Sequence, residues 1–284
     1  MHRAQIAQET VKILEHGQYR TPQRKVVSIE AEQQACVANT TYYEPETLTT
    51  IRNDVLSEPA RFDETIFELA NETTLQGAAR ITATGSHQRV GVLNFASAKN
   101  PGGGFLKGAS AQEESLARSS GLHQSLLQCR EYYDFHRTQK TCLYSDRMIY
   151  SPSCPVFRDD LGNFLDEPYL VDFITSAAPN AGAIQYNEPE NTRHIPEVFN
   201  ERVTKMLGLA AHHQCDTLIL GAWGCGVFAN DPFMVAEIFW QHLGPQGAFS
   251  GRFEHVVFSV LDKAKDQRRY KAFDQYFAQH STAM

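Results

Sequence analysis

The sequence predicts an α/β fold, in which helices are layered on a largely parallel or mixed sheet. Apolar runs typical of buried strands alternate with segments of helical periodicity from Thr65 onward. Two glycine-rich loops each follow one of these strand-like runs. Ligands of such sheets bind beyond the carboxyl ends of the strands, so a functional site is expected at the two loops.

The N-terminal part of the chain is predicted to be helical and then irregular. Residues 4–16 have helical apolar spacing that ends at Gly17, and a short strand is expected around residues 25–29. Residues 39–64 are polar and contain Pro45 and Pro59, which predicts loops and short helices.

From residue 65 onward, predicted strands and helices alternate along the chain. The strands cover residues 65–70, 89–95, 147–150, 170–177, 217–220 and 254–260. The first helix is capped by Thr73 or Thr74, runs through Ala83 and is broken by Gly85. Further helices are predicted over residues 112–128, 192–213, 232–243 and 265–279.

The composition is that of a globular protein and limits the possible function classes. Of 284 residues, 42% are hydrophobic and 21% are charged, and the formal net charge is −7. This acidic balance argues against direct binding of nucleic acid or of an anionic membrane. No apolar run of ~18 residues and no signal-peptide core stand out, so we expect a cytoplasmic protein with no membrane partner.

The cysteines and histidines lack the spacings of common metal sites. The six cysteines form no C-x-x-C pair, and the eleven histidines form no H-E-x-x-H pattern. We therefore expect reduced thiols, no bound metal and no cofactor.

The first glycine loop consists of Asn100-Pro101-Gly102-Gly103-Gly104. Three successive glycines allow positive φ angles and a close approach of the backbone to a ligand. Their N–H groups could form an anion-binding nest, although a plain surface turn explains the same composition.

The second glycine loop runs from Gly221 to Phe228 and precedes a predicted helix. Glycines at this position suit a diphosphate, which could accept N–H bonds from the loop and the helix end. The loop matches neither a P-loop nor a dinucleotide-binding fingerprint, so a kinase or an ordinary dehydrogenase is not indicated. Trp223 is interpreted as a core residue and Cys225 as a packing residue, while Phe228 fits either a core or a ligand-stacking position.

The acidic pair Glu113-Glu114 follows Gln112 at the start of a predicted helix. Carboxylates in a first helical turn often serve only to complement the helix dipole. The position of this pair directly after the first glycine loop makes a catalytic role the alternative interpretation. Adjacent helical residues project about 100° apart, so the two glutamates are expected to have different tasks.

Together, the first glycine loop and Gln112-Glu113-Glu114 resemble the G-G-G…Q-E-E signature of poly(ADP-ribose) glycohydrolases. Residues 71–74, 93–98 and 221–232 and the N-terminal helix resemble its shorter microbial-type branch, and the resemblance extends from about Ile6 to Phe277. It implies a macrodomain fold, which is a three-layer α/β/α sandwich with a mixed central sheet. Residues 1–64 would then be an N-terminal accessory extension packed on a catalytic domain of residues 65–284.

The resemblance also implies a role for each matching residue. The catalytic residues would be Glu114, as general acid and base, and Glu113, which with Gln112 would orient the ribose hydroxyls and Glu114. The implied substrate-binding residues are Asn100, Gly102, Gly103 and Gly104 at the distal ribose and the phosphates, and Gly224, Cys225, Gly226, Val227 and Phe228 around the diphosphate. Pro179, Asn180 and Phe258 lie at strand ends from which an adenine pocket could be reached.

The implied activity is hydrolysis of ribose–ribose O-glycosidic bonds, with poly(ADP-ribose) as substrate and ADP-ribose as product. Three alternatives stay open. An α/β domain with unrelated nucleotide chemistry is the least favoured, because the sequence contains neither a phosphate-transfer lysine motif nor a metal-ligand constellation. A mono-ADP-ribosyl hydrolase, acting on a modified protein or nucleic acid, would use the same pocket with a different leaving group. A non-catalytic ADP-ribose reader would need the two glycine loops but not the two glutamates, so the intact acidic pair argues against it.

Overall fold

A computed structural model describes residues 2–277, which form a seven-stranded mixed sheet flanked by helices and a separate two-stranded ribbon. The strands are β1 (Gln18–Arg20), β2 (Val26–Ser28), β3 (Thr41–Tyr43), β4 (Ile66–Ala70), β5 (Val90–Phe95), β6 (Met148–Arg158), β7 (Phe164–Ser176), β8 (Thr217–Leu220) and β9 (His255–Ser259). The helices are α1 (Arg3–His16), α2 (Glu30–Asn39), α3 (Pro45–Ser57), α4 (Thr74–Ala83), α5 (Gln112–Ser119), α6 (Leu122–Leu126), α7 (Arg130–Thr138), α8 (Ala181–Asn187), α9 (Ile195–His212), α10 (Pro232–Leu243) and α11 (Arg268–Phe277). The predicted α/β class is confirmed.

The order of strands in the large sheet is β3-β6-β7-β5-β8-β9-β4. The five strands from β7 to β4 are parallel to one another, whereas β6 is antiparallel to both β3 and β7. Short connections suffice for the antiparallel hairpin, but parallel neighbours need crossovers, which α4, α9 and α10 supply. The carboxyl ends of β5 and β8 therefore lie side by side.

Both faces of the sheet are buried, as a layered α/β fold requires. Leu218 and Leu220 of β8 pack into one hydrophobic cluster, which includes Phe199 of α9 and Phe239 of α10. Ile219, between them in the strand, packs into a second cluster on the opposite face. This alternation explains why β8 is apolar from Leu218 to Leu220.

The first 64 residues pack against the rest of the chain by several elements. Strand β3 pairs with β6 at the edge of the central sheet, in the register Thr41↔Tyr150 to Tyr43↔Met148. Helix α3 packs on α9, and α1 packs on the segment that carries the first glycine loop. The domain division after residue 64 stays a prediction.

Several element boundaries differ from the predicted ones. Residues 39–64 contain the thirteen-residue helix α3, because Pro45 occupies the first helical turn, where proline is favoured, instead of breaking a helix. The predicted helix 112–128 is two helices, since Ser120 forms a β-bridge with Val156 and the Gly121 N–H donates to the Pro155 carbonyl. Residues 189–194 form a 3₁₀ segment before α9.

Other differences concern elements that were missed or misjudged in length. Strands β1 and β3 and helices α2, α7 and α8 were not predicted, and β6 and β7 extend into a hairpin longer than the predicted strands. Of the predicted last helix, residues 268–277 are helical, while Ala278 and Gln279 lie outside the described residues.

Candidate active site

The two glycine loops leave the sheet at the same edge because they follow neighbouring parallel strands. Strand β5 pairs with β8 from Val90↔Thr217 to Val92↔Ile219, so both chains leave the sheet at the same edge. A cavity of about 380 Å³ lies there. Its wall comes from the starts of α4 and α5, the loop after β8 and the ends of β5 and β9, and includes Glu72, Thr73, Phe95, Gln112, Trp223, Gly224, Gly226, Val227, Phe228, Leu261 and Arg269.

Gln112 connects the start of α5 to the end of β5. Strand β5 pairs with β7 through Phe95 but with β8 only as far as Val92. The Gln112 side chain fills the gap, because its Oε1 accepts the Phe95 N–H at 2.9 Å and its Nε2 donates to the Leu93 carbonyl at 2.8 Å. These bonds hold the first turn of α5 against the sheet, and with it the two glutamates.

Glu113 is buried behind the first glycine loop, with 2% of its surface exposed. Its Oε2 accepts the Ser97 N–H at 2.6 Å, and its Oε1 accepts from Asn94 Nδ2 at 3.3 Å. Burial raises the pKa of Glu113 to about 8, against the opposing effect of these two hydrogen bonds. Glu113 is therefore mostly neutral near pH 7.

Glu114 is only partly buried. Its Oε1 accepts the Gly104 N–H at 2.9 Å. Gly103 has a φ of +59°, and a β-carbon there would overlap the Glu114 carboxylate and reach 3.2 Å from Glu113 Oε2. The glycine thus allows both carboxyl groups to converge on one turn of backbone.

Two buried side chains, Trp223 and Asn230, hold the second glycine loop in place by hydrogen bonds to backbone carbonyls. Trp223 is fully buried and donates from Nε1 to the Ser176 carbonyl at 3.3 Å, which confirms its interpretation as a core residue. Asn230 Nδ2 donates to the carbonyls of Pro179 at 2.8 Å and Gly224 at 3.1 Å. Gly224 has a φ of +73°, and a β-carbon there would overlap the Asn230 amide.

Not all of the predicted site residues line the cavity. Gln112, Gly224, Gly226, Val227 and Phe228 do, and Val227 is 83% exposed at its mouth. Asn100, Gly102, Gly103, Gly104, Glu113 and Glu114 lie together beside it in the first glycine loop and the start of α5. Cys225 instead lines a separate cleft with Asn230 and Arg268, and burial raises the pKa of its thiol, as fits a packing residue.

Several residues of the cavity wall were not predicted as site residues from the sequence. Glu72 follows β4, and its Oε1 accepts from Arg80 at 2.9 Å and from Ser259 Oγ at 3.1 Å. Asp160 at the tip of the β6–β7 hairpin accepts from Thr73 Oγ1 at 2.6 Å. The position of Glu72 after a strand was a usable signal, whereas Asp160 reaches the cavity only through the unpredicted length of the hairpin.

None of the three residues considered for an adenine pocket, Pro179, Asn180 and Phe258, lines the cavity. Phe258 is fully buried among Phe239, Phe273 and Phe277, and the Asn180 side chain caps α8 by accepting the Ala183 N–H at 3.0 Å. Ala178, next to Pro179, contributes to the cavity wall.

Neither a cluster of metal ligands nor a membrane-spanning helix is present among residues 2–277. Within this range, no three histidine, cysteine, aspartate or glutamate side chains are grouped as metal ligands would be. No helix in the same range has the length and apolarity needed to span a bilayer.

Comparisons with known proteins identify the family. Residues 7–159 match the family model described as microbial-type PARG, catalytic domain. The poly(ADP-ribose) glycohydrolase of Thermomonospora curvata is 48% identical, with a TM-score of 0.92 over 97% of this chain and 99% of that chain. Its complex with the inhibitor ADP-HPD matches with a TM-score of 0.90 at the same identity and coverage.

A second relative comes from another bacterium. The poly(ADP-ribose) glycohydrolase of Deinococcus radiodurans in complex with ADP-ribose is 43% identical over 86% of this chain and 96% of that chain, with a TM-score of 0.81. The search of curated proteins gave no match. The matched family model and these similarities show that the chain belongs to the microbial-type poly(ADP-ribose) glycohydrolase family.

Proposed function

We propose that this protein is a poly(ADP-ribose) glycohydrolase that cleaves ribose–ribose O-glycosidic bonds and releases ADP-ribose. The observation that carries the proposal is the convergence of Glu113 and Glu114 on Gly103, beside a cavity lined by the second glycine loop and the first turn of α5. Relatives at 43–48% identity carry this enzyme name, and structures of them hold ADP-ribose or the inhibitor ADP-HPD.

The cavity is suited to the nucleotide part of the substrate. In this assignment Gly224, Gly226, Val227 and Phe228 surround the diphosphate, with the Phe228 ring beside the distal ribose, while Cys225 packs in the separate cleft. Asn100 and Gly102–Gly104 contact that ribose and the phosphates from the opposite side. The distal ribose then lies near Glu114, since Gly104 and Glu114 are joined by a hydrogen bond of 2.9 Å.

Glu114 carries the acid and base steps in this mechanism. It first gives a proton to the glycosidic oxygen, so that the bond to the anomeric carbon breaks with oxocarbenium character and the leaving ribose departs as an alcohol. The resulting carboxylate then takes a proton from water as that water adds to the anomeric carbon. The bound diphosphate offsets the positive charge that develops on the sugar.

Glu113 has a different task, because it is buried and mostly neutral. A protonated carboxyl donates one hydrogen bond and accepts others, which suits the orientation of a ribose hydroxyl. The Ser97 N–H and the Asn94 amide fix its two oxygens. Gln112 is bonded to β5 through both its amide groups, and so it orients the glutamates through the start of α5.

The test is the substitution Glu114→Gln, with Glu131→Gln as a matched control in the first turn of α7. Loss of an acid/base group is expected to lower turnover of poly(ADP-ribose) by roughly 10²–10⁴-fold. ADP-ribose affinity, measured by calorimetry, should stay close to that of the wild type, and the control should retain full activity. Turnover by Glu114→Gln at the wild-type rate would refute the assignment.

The same assay separates the alternatives. Polymer-modified and singly modified proteins are incubated with the wild type, and the released ADP-ribose is measured. Release from the polymer alone supports the proposed substrate, and release from single modifications alone supports a mono-ADP-ribosyl hydrolase. Binding of ADP-ribose without release from either substrate would indicate a reader.

Three wider expectations belong to the proposal. All six cysteines are free thiols in the structure, which fits a reducing compartment, and we propose the cytoplasm. The net charge of −7 supports the expectation that nucleic acid is not bound directly. Residues 1–64 are proposed to be the accessory extension and residues 65–284 the catalytic domain.

A further inference from the structure

Helix α1 packs directly against the segment that carries the first glycine loop. Ala7 of α1, Phe105 of the loop and Ala117 of α5 are each fully buried and form one small hydrophobic cluster, with Val11 at its edge. Phe105 is the anchor of this segment, because it is the buried apolar residue between the three glycines and the start of α5.

A second contact ties α1 to the far end of the same segment. The buried Thr10 hydroxyl donates to the Arg118 carbonyl at 2.6 Å. The Arg118 guanidinium in turn donates to the Ala109 carbonyl and, at 3.1 Å, to Ser115 Oγ. Thr10 therefore supports Arg118, which joins Ala109, between the first glycine loop and α5, to the first turn of α5.

The contacts continue from Phe105 to the proposed catalytic carboxylate. Gly102 has a φ of +69°, and a β-carbon there would lie 3.0 Å from the Phe105 ring and 3.1 Å from Ala117. Two residues later, the Gly104 N–H donates to Glu114. Because Phe105 directly follows Gly104 in the chain and its ring lies against Gly102, we expect a shift of Phe105 to move the glycines that contact Glu114.

We propose that helix α1 is a positioning element of the active site, in which Ala7 and Thr10 set the place of the first glycine loop and, through Gly104, of Glu114. This inference rests on the proposed function. Ala7 and Thr10 are positioning residues, since neither lines the cavity. The segment before residue 65 thereby contributes to the rate of the reaction as well as to stability.

The test compares Ala7→Leu and Thr10→Val with Ile13→Ala. Ile13 belongs to the same helix but packs in a different cluster, with Tyr19 and Phe157, so its truncation disturbs α1 without touching the loop. The kcat for poly(ADP-ribose) is expected to fall about tenfold or more in Ala7→Leu, because small misplacements of catalytic groups are costly. ADP-ribose affinity should fall by a smaller factor than kcat, because the first glycine loop supplies only part of the proposed ligand contacts and the cavity wall stays intact.

Hydrogen exchange of the free protein gives a readout that needs no activity. The amides of Gly103, Gly104, Phe105 and Gly108 are bonded within the loop or to Glu114, and they should exchange faster in Ala7→Leu and Thr10→Val. In Ile13→Ala these amides should exchange at the wild-type rate, even if the melting temperature of Ile13→Ala is lower than that of Ala7→Leu and Thr10→Val. If Ala7→Leu does not fold, the exchange rates of these amides in Thr10→Val, the smaller change, test the positioning role.

The outcomes for α1 and for the proposed function are separable. An inactive wild type would overturn the proposed function, while the exchange rates would still test the coupling of α1 to the loop. Loop exchange and kcat that match those of Ile13→Ala in both variants would overturn the positioning role.

Discussion

Glu113 and Glu114 follow one another in the chain, yet their carboxyl groups bind different backbone amides and differ in burial. The Ser97 N–H donates to the nearly inaccessible Glu113, and the Gly104 N–H donates to the partly exposed Glu114. Burial thereby raises the pKa of Glu113, while Glu114 remains partly exposed to solvent. Two copies of one residue type can thus take two tasks in the same turn of helix.

The buried Glu113 predicts a pH dependence of stability. Its pKa is about 8 in the folded protein and near 4.5 when solvated, so between these values the unfolded chain loses a proton that the folded chain keeps. The contribution to stability is complete below pH 4.5 and is lost as pH rises, at ~1.4 kcal/mol per pH unit until about pH 8. Urea unfolding of the wild type and Glu113→Gln at several pH values measures it.

The expected result is that Glu113→Gln becomes more stable relative to the wild type as pH rises from 5.5 to 8.5. The difference should flatten above pH 8, where Glu113 is ionised in both states. Glu131→Gln, an exposed glutamate in α7, is the control and should show no such trend. A stability difference that is constant over this range would contradict the assigned burial effect.

Gly226 offers a test of the proposed diphosphate contact that leaves the fold intact. It lines the cavity, its φ is not positive, and a β-carbon there would meet no atom within 4 Å. Gly226→Ala should therefore leave the melting temperature unchanged or slightly raised. ADP-ribose affinity should fall by about tenfold or more, equivalent to ~1.4 kcal/mol, because the methyl group occupies space assigned to the ligand.

The control for this substitution is Gly182→Ala. Gly182 donates its N–H to the Phe228 carbonyl of the same loop at 3.0 Å, but it lies outside the cavity wall. A β-carbon there would make ordinary contact at 3.5 Å with Ala229, so affinity should be retained. Equal affinities for both variants and the wild type would show that the ligand does not approach the loop closely at Gly226.

The predictable part of the fold consists of elements whose own sequence contains strong signals. Strand β5 and helix α10 were found because an apolar run and the capping residues Asp231 and Pro232 define them locally. Helix α2 was missed because it buries Gln33 and Cys36 and has little apolar periodicity. Helix α7 buries Tyr132, Tyr133 and His136, which do not form a recognisable apolar stripe in a polar segment.

The site could be predicted only as far as its two loops. The motif around Glu114 is local, but the adjacency of β5 and β8 depends on the order of strands in the sheet, and these strands are far apart in sequence. Residues such as Glu72 and Arg269 reach the cavity through tertiary packing. Their chemistry is visible in the sequence, whereas their positions follow from how α4 and α11 dock on the sheet.

Arg269 is a cation in the cavity wall of an acidic protein, and it predicts an electrostatic contribution to ligand binding. Its guanidinium lies 3.2 Å from Asp262 Oδ1 and remains 37% exposed. A diphosphate that enters the cavity would gain from this charge, although solvent and Asp262 screen it. Arg269→Gln should weaken ADP-ribose binding roughly three- to tenfold, which corresponds to about 1 kcal/mol.

Its neighbour Arg268 provides a matched control. The Arg268 side chain is 63% exposed, pairs with Asp231 at 3.0 Å and lies outside the cavity wall. Arg268→Gln removes the same charge from the protein but should leave affinity within about twofold of the wild type. Calorimetry at ~50 and ~500 mM NaCl should show a smaller salt dependence for Arg269→Gln than for Arg268→Gln, because only the former loses a charge near the diphosphate. Equal affinities and equal salt dependences would exclude Arg269 from the binding site.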